Sequence, residues 1–261
     1  MKKTNVWVRA GLSVLLLLTA AAFSAAALLV RLPAVAADSA EPGGAVEVPE
    51  PAPSPSPTPG EKKLIALTFD DGPRRSTTTR LLDGLSERGV QATFFLIGAQ
   101  VEGNEDVLRR MDAEGHQIGI HTYDHVQLTG LNRTDFGAQV DKTRTLLKQV
   151  LGHNDFLLRP PYGILDDSVK RWAGCPIILW SIDPEDWKDQ NATREVELIV
   201  REAKDGSIIL MHDIFPASVD AALQVVDRLH AQGFLFCTID ELFAARCIDL
   251  EAGQSYWNAY P

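Results

Sequence analysis

Cysteine is scarce in this chain of 261 residues: Cys175, Cys237 and Cys247 are the only three. They are too few and too scattered for a disulfide scaffold and lack the paired spacing of a zinc ribbon, so they read as structural thiols. Cys237, within the apolar run Phe234, Leu235, Phe236, reads as a small buried hydrophobe, with a bridge to Cys247 left open. Basic charge is also short. The net charge is −10, and Lys2, Lys3, Arg9 and Arg31 give the first 37 residues +4, which leaves −14 for the rest. A body of that sign is a poor partner for nucleic acid or an anionic membrane surface, because binding to polyanions needs clustered Lys and Arg. No internal repeat is present, so a solenoid or propeller is excluded.

Long apolar stretches are missing as well, with one exception at the N-terminus. From Ala10 to Val30 no charge interrupts the sequence, and Lys2, Lys3 and Arg9 precede it. Those features make residues 1–37 an export signal. As a helix its apolar part would reach roughly 30 Å, enough for a membrane anchor, while Ala34-Val35-Ala36 also suits signal cleavage. Residues 38–62 carry Pro42, Pro49, Pro51, Pro53, Pro55, Pro57 and Pro59 among small and polar residues, the composition of an extended, disordered linker. The expected organisation is therefore a signal or anchor over 1–37, a linker over 38–62, one domain over 63–246 and a tail over 247–261.

Within that domain short apolar runs alternate with amphipathic segments. Strands are predicted over Leu64–Phe69, Ala92–Ile97, Gln117–His121, Phe156–Arg159, Ile177–Ile182, Ser207–Met211 and Phe234–Ile239. Helices are predicted between them, for example over Asp135–Leu151, where Phe136, Val140, Leu147 and Leu151 share a face, and over Val219–Leu229. Seven strands alternating with helices imply an α/β fold with a parallel sheet, closed as a barrel or doubly wound, and in either case chemistry gathers at the strands' C-terminal ends.

Five polar clusters fall at such ends. The first strand stops at Asp70 and Asp71 before Gly72-Pro73. Alternation sends the two carboxylates in different directions, so that one can bind a metal while the other stays a free base. His121 and His125, four residues apart, can chelate one ion, and with Asp71 they make the two-histidine, one-carboxylate set of hydrolytic metal sites. Arg159-Pro160-Pro161-Tyr162-Gly163 joins a guanidinium suited to a carboxylate with a stiff turn able to aim a peptide N–H at an oxyanion. Asp183-Pro184-Glu185-Asp186-Trp187 sets acids beside an aromatic face of the kind that stacks on sugars, and His212 at a strand mouth suits a general acid. Each cluster alone also fits ordinary loop chemistry; five at five strand ends, with complementary roles, do not.

Taken in order, TFDDGP from Thr68, HTYDH from His121, RPPYG from Arg159, DPEDW from Asp183 and LMH from Leu210 resemble the five motifs of the NodB-like polysaccharide deacetylases, carbohydrate esterase family 4, over residues 63–245. The resemblance implies a distorted (β/α)7 barrel of TIM-like type. It also implies a divalent metal on Asp71, His121 and His125, with Zn2+ favoured and Co2+ or Ni2+ as alternatives. Asp70 would be the general base, oriented by Arg159, and His212 the general acid, tuned by Asp183. The backbone of Tyr162 would stabilise the oxyanion, and Leu210 and Trp187 would form the acetyl pocket. The expected activity is N-deacetylation of N-acetylglucosamine in a cell-wall polysaccharide, peptidoglycan first, by a monomer outside the cytoplasm that touches the membrane through its N-terminal segment. O-deacetylation of xylan or another glycan, or wall binding without turnover, are the alternatives. The intact set of chemical residues argues against the last.

Overall fold

A computed structural model describes residues 62–261; the expected signal and nearly all of the linker lie outside the described residues. Among the described residues no helix is long and apolar enough to cross a membrane.

The first strand, β1 (Lys63–Asp70), has its last six residues buried, as a strand covered on both faces requires. The others are β2 (Thr93–Leu96), β3 (Gln117–Ile120), β4 (Leu157–Leu158), β5 (Ile177–Ile178), β6 (Ile208–His212), β7 (Phe234–Cys237) and β8 (Ser255–Tyr256). The sheet runs β6-β1-β2-β3-β4-β5-β8, and every pairing is parallel. β1 has more than one partner along its length: Lys63–Ala66 pair with β7, and Thr68–Asp70 with β2. The circuit closes through a parallel bridge between Ile182, just past β5, and Ile209 of β6. This is the distorted barrel.

Alternation divides the strands between two cores. Ile65, Leu67 and Phe69 of β1, with Phe94, Ile209 and Met211, pack outward against helices such as Arg133–Leu151 and Pro216–Ala231. Ala66, Phe95, Leu157, Ile178 and Ile208 form a smaller inner core. Helix Ile239–Ala245, started by a Thr238–Glu241 capping box, adds Ile239, Leu242 and Phe243 to the inner core. Thr68 and Asp70 share the inner register of Ala66, which sets the chemistry of β1 inside the barrel.

Several strands are shorter than the sequence suggests, β4 and β5 most of all. The run expected as a strand over Phe156–Arg159 contributes only Leu157–Leu158, and that expected over Ile177–Ile182 only Ile177–Ile178. Pro160 and Pro161 bring no N–H to a ladder. At β5, the carbonyls of Ile178 and Leu179 accept from the Arg159 guanidinium, at 3.1 and 3.0 Å. Helix Arg133–Leu151 begins two residues before its expected start, where the Asn132 side chain accepts from the Asp135 N–H, and it ends at Gly152 with φ 86°. The tail packs on the barrel: β8 lengthens the sheet beside β5, and buried Ala259 donates its N–H to the carbonyl of Gly206. A Cβ at Gly206 would lie 2.2 Å from the Ala259 oxygen, so that approach requires glycine. All three cysteines are free thiols, Cys175 and Cys237 buried and Cys247 exposed.

Candidate active site

The site starts from a buried charge. Arg159, fully buried, donates to Asp70 Oδ1 and Thr68 Oγ1 through Nη1, each at 2.8 Å, to Ile178 O through Nε and to Leu179 O through Nη2. Its guanidinium also lies 4.1 Å from the centre of the Phe95 ring. A buried cation is tolerated only when its donors are satisfied, and here they are spread over both sides of the barrel. Thr68 passes the network on by donating to Ile209 O at 2.6 Å. Asp70 is thereby held in one orientation, with Oδ2 3.7 Å from His121 Nε2.

Asp71 turns the other way. Its φ is 73°, and Thr122 and His125 also adopt left-handed backbone, at φ 65° and 57°. Each such residue costs on the order of 1–3 kcal/mol, and strain of this kind persists where surrounding structure enforces it, typically at functional sites. Asp71 Oδ1 lies 3.5 Å from His121 Nε2 and 3.3 Å from His125 Nε2. It is buried and accepts no hydrogen bond. The carbonyl of Arg159 faces His121 Nδ1 at 2.7 Å, and a carbonyl can only accept. The proton therefore sits on Nδ1, leaving the lone pair of Nε2 toward Asp71. Burial lowers the pKa of His121 and keeps the ring neutral, against the pull of Asp70 and Asp71. One ligand atom from each of Asp71, His121 and His125 falls within 4.8 Å of the others. An orphaned carboxylate oxygen facing two imidazole nitrogens, one with its tautomer fixed, is the donor set of a divalent metal.

Across the cleft, His212 ends β6. Its Nδ1 and its backbone N–H both bond to Asp186, each at 2.8 Å. Burial opposes the imidazolium, but the Asp186 hydrogen bond and charge, with help from Asp70 and Asp71, raise the His212 pKa to about 9. The partner of His212 is therefore Asp186 and not Asp183, which corrects the pairing expected from sequence. Asp183 Oδ1 accepts instead from the Glu185 N–H at 2.8 Å, an Asx-type turn. That turn leads to Glu185 at φ 52° and a one-turn helix, Asp186–Asp189, which carries Asp186 to full burial below His212.

A cleft of about 400 Å³ joins these groups, lined by Asp70, Asp71, His121, His125, Tyr162, Trp180, Asp183, Trp187, Leu210 and His212. Every residue given a chemical role from the sequence thus faces one space except Arg159, which stands behind Asp70. Trp187 is 51% and Tyr162 62% exposed at the rim, whereas Leu210 is buried.

The sequence model described as polysaccharide deacetylase matches residues 58–174. The peptidoglycan-N-acetylglucosamine deacetylase PgdA of Listeria monocytogenes is 40% identical over 196 residues, 75% of this chain and 41% of that protein. A solved structure described as T48 deacetylase with substrate is 43% identical, with a TM-score of 0.72 over 75% of this chain and 96% of the other. This chain belongs to the polysaccharide deacetylase family. It spans about two fifths of the length of the PgdA relatives. A family 4 acetyl xylan esterase from Clostridium thermocellum, solved in complex with a cobalt ion, is 27% identical with a TM-score of 0.72 over 75% of this chain and 98% of that one. The deacetylase family is metal-dependent, in keeping with the donor set above.

Two groups at the site received no role from the sequence, Trp180 and Asp213, the latter seen only as the residue after His212 at its strand end. Trp180 walls the cleft behind Gly163, where an added Cβ would meet its ring at 2.8 Å. Asp213, fully buried, accepts from the Thr78 hydroxyl, and a Cβ at Gly72 would lie 2.5 Å from its carboxylate oxygens. Burial pushes the Asp213 carboxyl up to about 7, so the turn after Asp71 rests on an acid whose ionisation is suppressed. The glycine of TFDDGP was a visible sign of that close approach; its partner 141 residues away was not.

Proposed function

We propose that this deacetylase-family chain hydrolyses the N-acetyl group of N-acetylglucosamine in peptidoglycan, releasing acetate. The observation that carries the reading is the pairing of a metal-type donor set, Asp71, His121 and His125, with an unshared acid, Asp70, and a protonated His212 across one cleft. The 40% identical relative named as a peptidoglycan-N-acetylglucosamine deacetylase supports the substrate.

Asp71, His121 and His125 would hold a divalent ion, Zn2+ in the first instance, which supplies Lewis acidity toward water and the acetamide carbonyl. Asp70, fixed by Arg159, accepts the proton of the attacking water. The N–H of Tyr162, on its proline-stiffened turn, stabilises the oxyanion that forms at the carbonyl. His212, kept charged by Asp186, donates a proton to the departing amine, and Asp183 lends negative charge at the cleft wall. Leu210 and Trp187 shape a small apolar pocket for the acetyl methyl, and the exposed face of Trp187 stacks on a sugar ring. An N-terminal segment that exports or anchors the chain would set this domain, as a monomer, outside the cytoplasmic membrane.

The full chain, purified in detergent, is expected to release acetate from purified peptidoglycan and to stop when a chelator is added. Release from acetylated xylan with none from peptidoglycan would replace this reading with an O-acetyl esterase.

A further inference from the structure

A second cavity, of about 250 Å³, opens next to the cleft and shares Asp71 with it. Its other lining residues are Arg74, Ile97, Gln100 and Ile214. Arg74 is exposed and uses Nη1 to donate to Ile214 O at 3.0 Å. No carboxylate pairs with it among the described residues, whereas Arg75 and Arg80 are paired with Asp106 and Asp220. Arg74 also immediately precedes helix Arg75–Glu87, whose first turn holds no acidic residue. A helix N-terminus favours negative charge, so a cation there with no counter-ion leaves a local electrostatic need that an anion would meet. In a body of net charge −14, an unpaired guanidinium beside the cleft departs from its surroundings.

The cavity is chemically two-sided. Arg74 and the Gln100 amide offer donors suited to a carboxylate, and Ile97 and Ile214 offer apolar surface beside them. The lactyl ether of a muramic acid carries a methyl group and, on glycan strands freed of their stem peptide, a carboxylate. Its neighbour in the glycan is the N-acetylglucosamine proposed for the cleft, and the two cavities are themselves neighbours, since Asp71 lines both. We infer that the Arg74–Gln100 cavity is a subsite for the carboxylate-bearing lactyl group of the muramic acid next to the sugar being deacetylated. This rests on the peptidoglycan reading and adds a reason for preferring that polymer over neutral glycans.

Equilibrium binding tests it on the full, metal-replete chain in detergent, read on ice before acetate release becomes measurable. The probes are chitotetraose and a tetrasaccharide alternating N-acetylglucosamine with N-acetylmuramic acid. The unsubstituted chain is expected to bind the carboxylated oligomer about tenfold more tightly, R74Q to erase that preference, and R74K to keep most of it, since the contact is a charge-assisted one. Equal weakening of both oligomers by R74Q would mark Arg74 as a structural prop for Ile214 and overturn the subsite, and so would no change in either. Acetate release by the metal-replete chain is followed separately. If neither oligomer releases acetate, the deacetylase reading fails, while the binding difference still decides the subsite.

Discussion

The two walls of the cleft solve opposite problems with the same device, a buried ion pair. On one wall Arg159, a permanent cation, holds Asp70; on the other Asp186 holds His212. The first pair fixes an acid that must accept a proton, and the second charges a base that must give one away. Their settings differ as well. Arg159 makes four hydrogen bonds reaching β1 and the chain beyond β5, so it joins parts of the barrel. Among the described residues the Asp186 carboxylate bonds only to His212, through one side-chain and one backbone contact. Fold and chemistry are therefore coupled on the Arg159 wall and separable on the Asp186 wall.

Breaking the coupled wall should have the largest effect. Arg159→Met leaves Asp70 buried without its partner and three further acceptors unfilled, so a stability loss of about 3–5 kcal/mol is expected together with loss of activity, read by denaturant unfolding and acetate release. Retained stability would show that the network is dispensable to the barrel. Next, Asp70→Asn and His212→Ala should each lower turnover about a hundredfold or more with the unfolding midpoint little changed. A near-normal rate in either would mean that the acid or the base is misassigned.

Asp186→Asn sharpens the contrast, because it is expected to act on protonation more than on the fold. With the folded His212 pKa at about 9 against 6.5 as its ordinary value, the imidazolium survives well into the alkaline range. The alkaline limb of the rate profile should move to lower pH in the variant, since Asp186 is the chief group that raises the value. The linkage runs in the same sense. A pKa raised by folding contributes stability that is fully present below about pH 6.5 and is lost as pH rises through about 9. The difference in thermal midpoint between the native chain and D186N should therefore narrow across that interval, and a constant gap would contradict the pairing. The smallest effect is expected from Trp187→Ala at the rim, a several-fold rise in KM with kcat nearly unchanged.

How much of this was legible in the sequence depends on how far each interaction reaches. β1 could be read from Leu64 to Phe69 because burial on both faces writes a continuous apolar run, and its inner register followed from alternation at Ala66, Thr68 and Asp70. The termini of β4 and β5 were not legible, since Arg159 takes the carbonyls of residues 19 and 20 positions away. Within DPEDW the sequence reading gave His212 to Asp183, whereas the structure gives it to Asp186. The choice was made by Glu185, whose left-handed backbone bends the chain so that Asp183 caps a turn while Asp186 goes inward. The tail showed no strand pattern, because β8 is two residues long and depends on the open edge of β5.

The central claim is that Asp71, His121 and His125 bind a metal while their neighbour Asp70 stays free of it. Metal stoichiometry by equilibrium dialysis of the full chain, compared with Asp71→Asn and Asp70→Asn, addresses this directly. The expected result is one divalent ion per chain, retained in D70N although acetate release is lost, and absent or much weakened in D71N. Equal loss of the ion in both variants, or its full retention in D71N, would contradict the assignment.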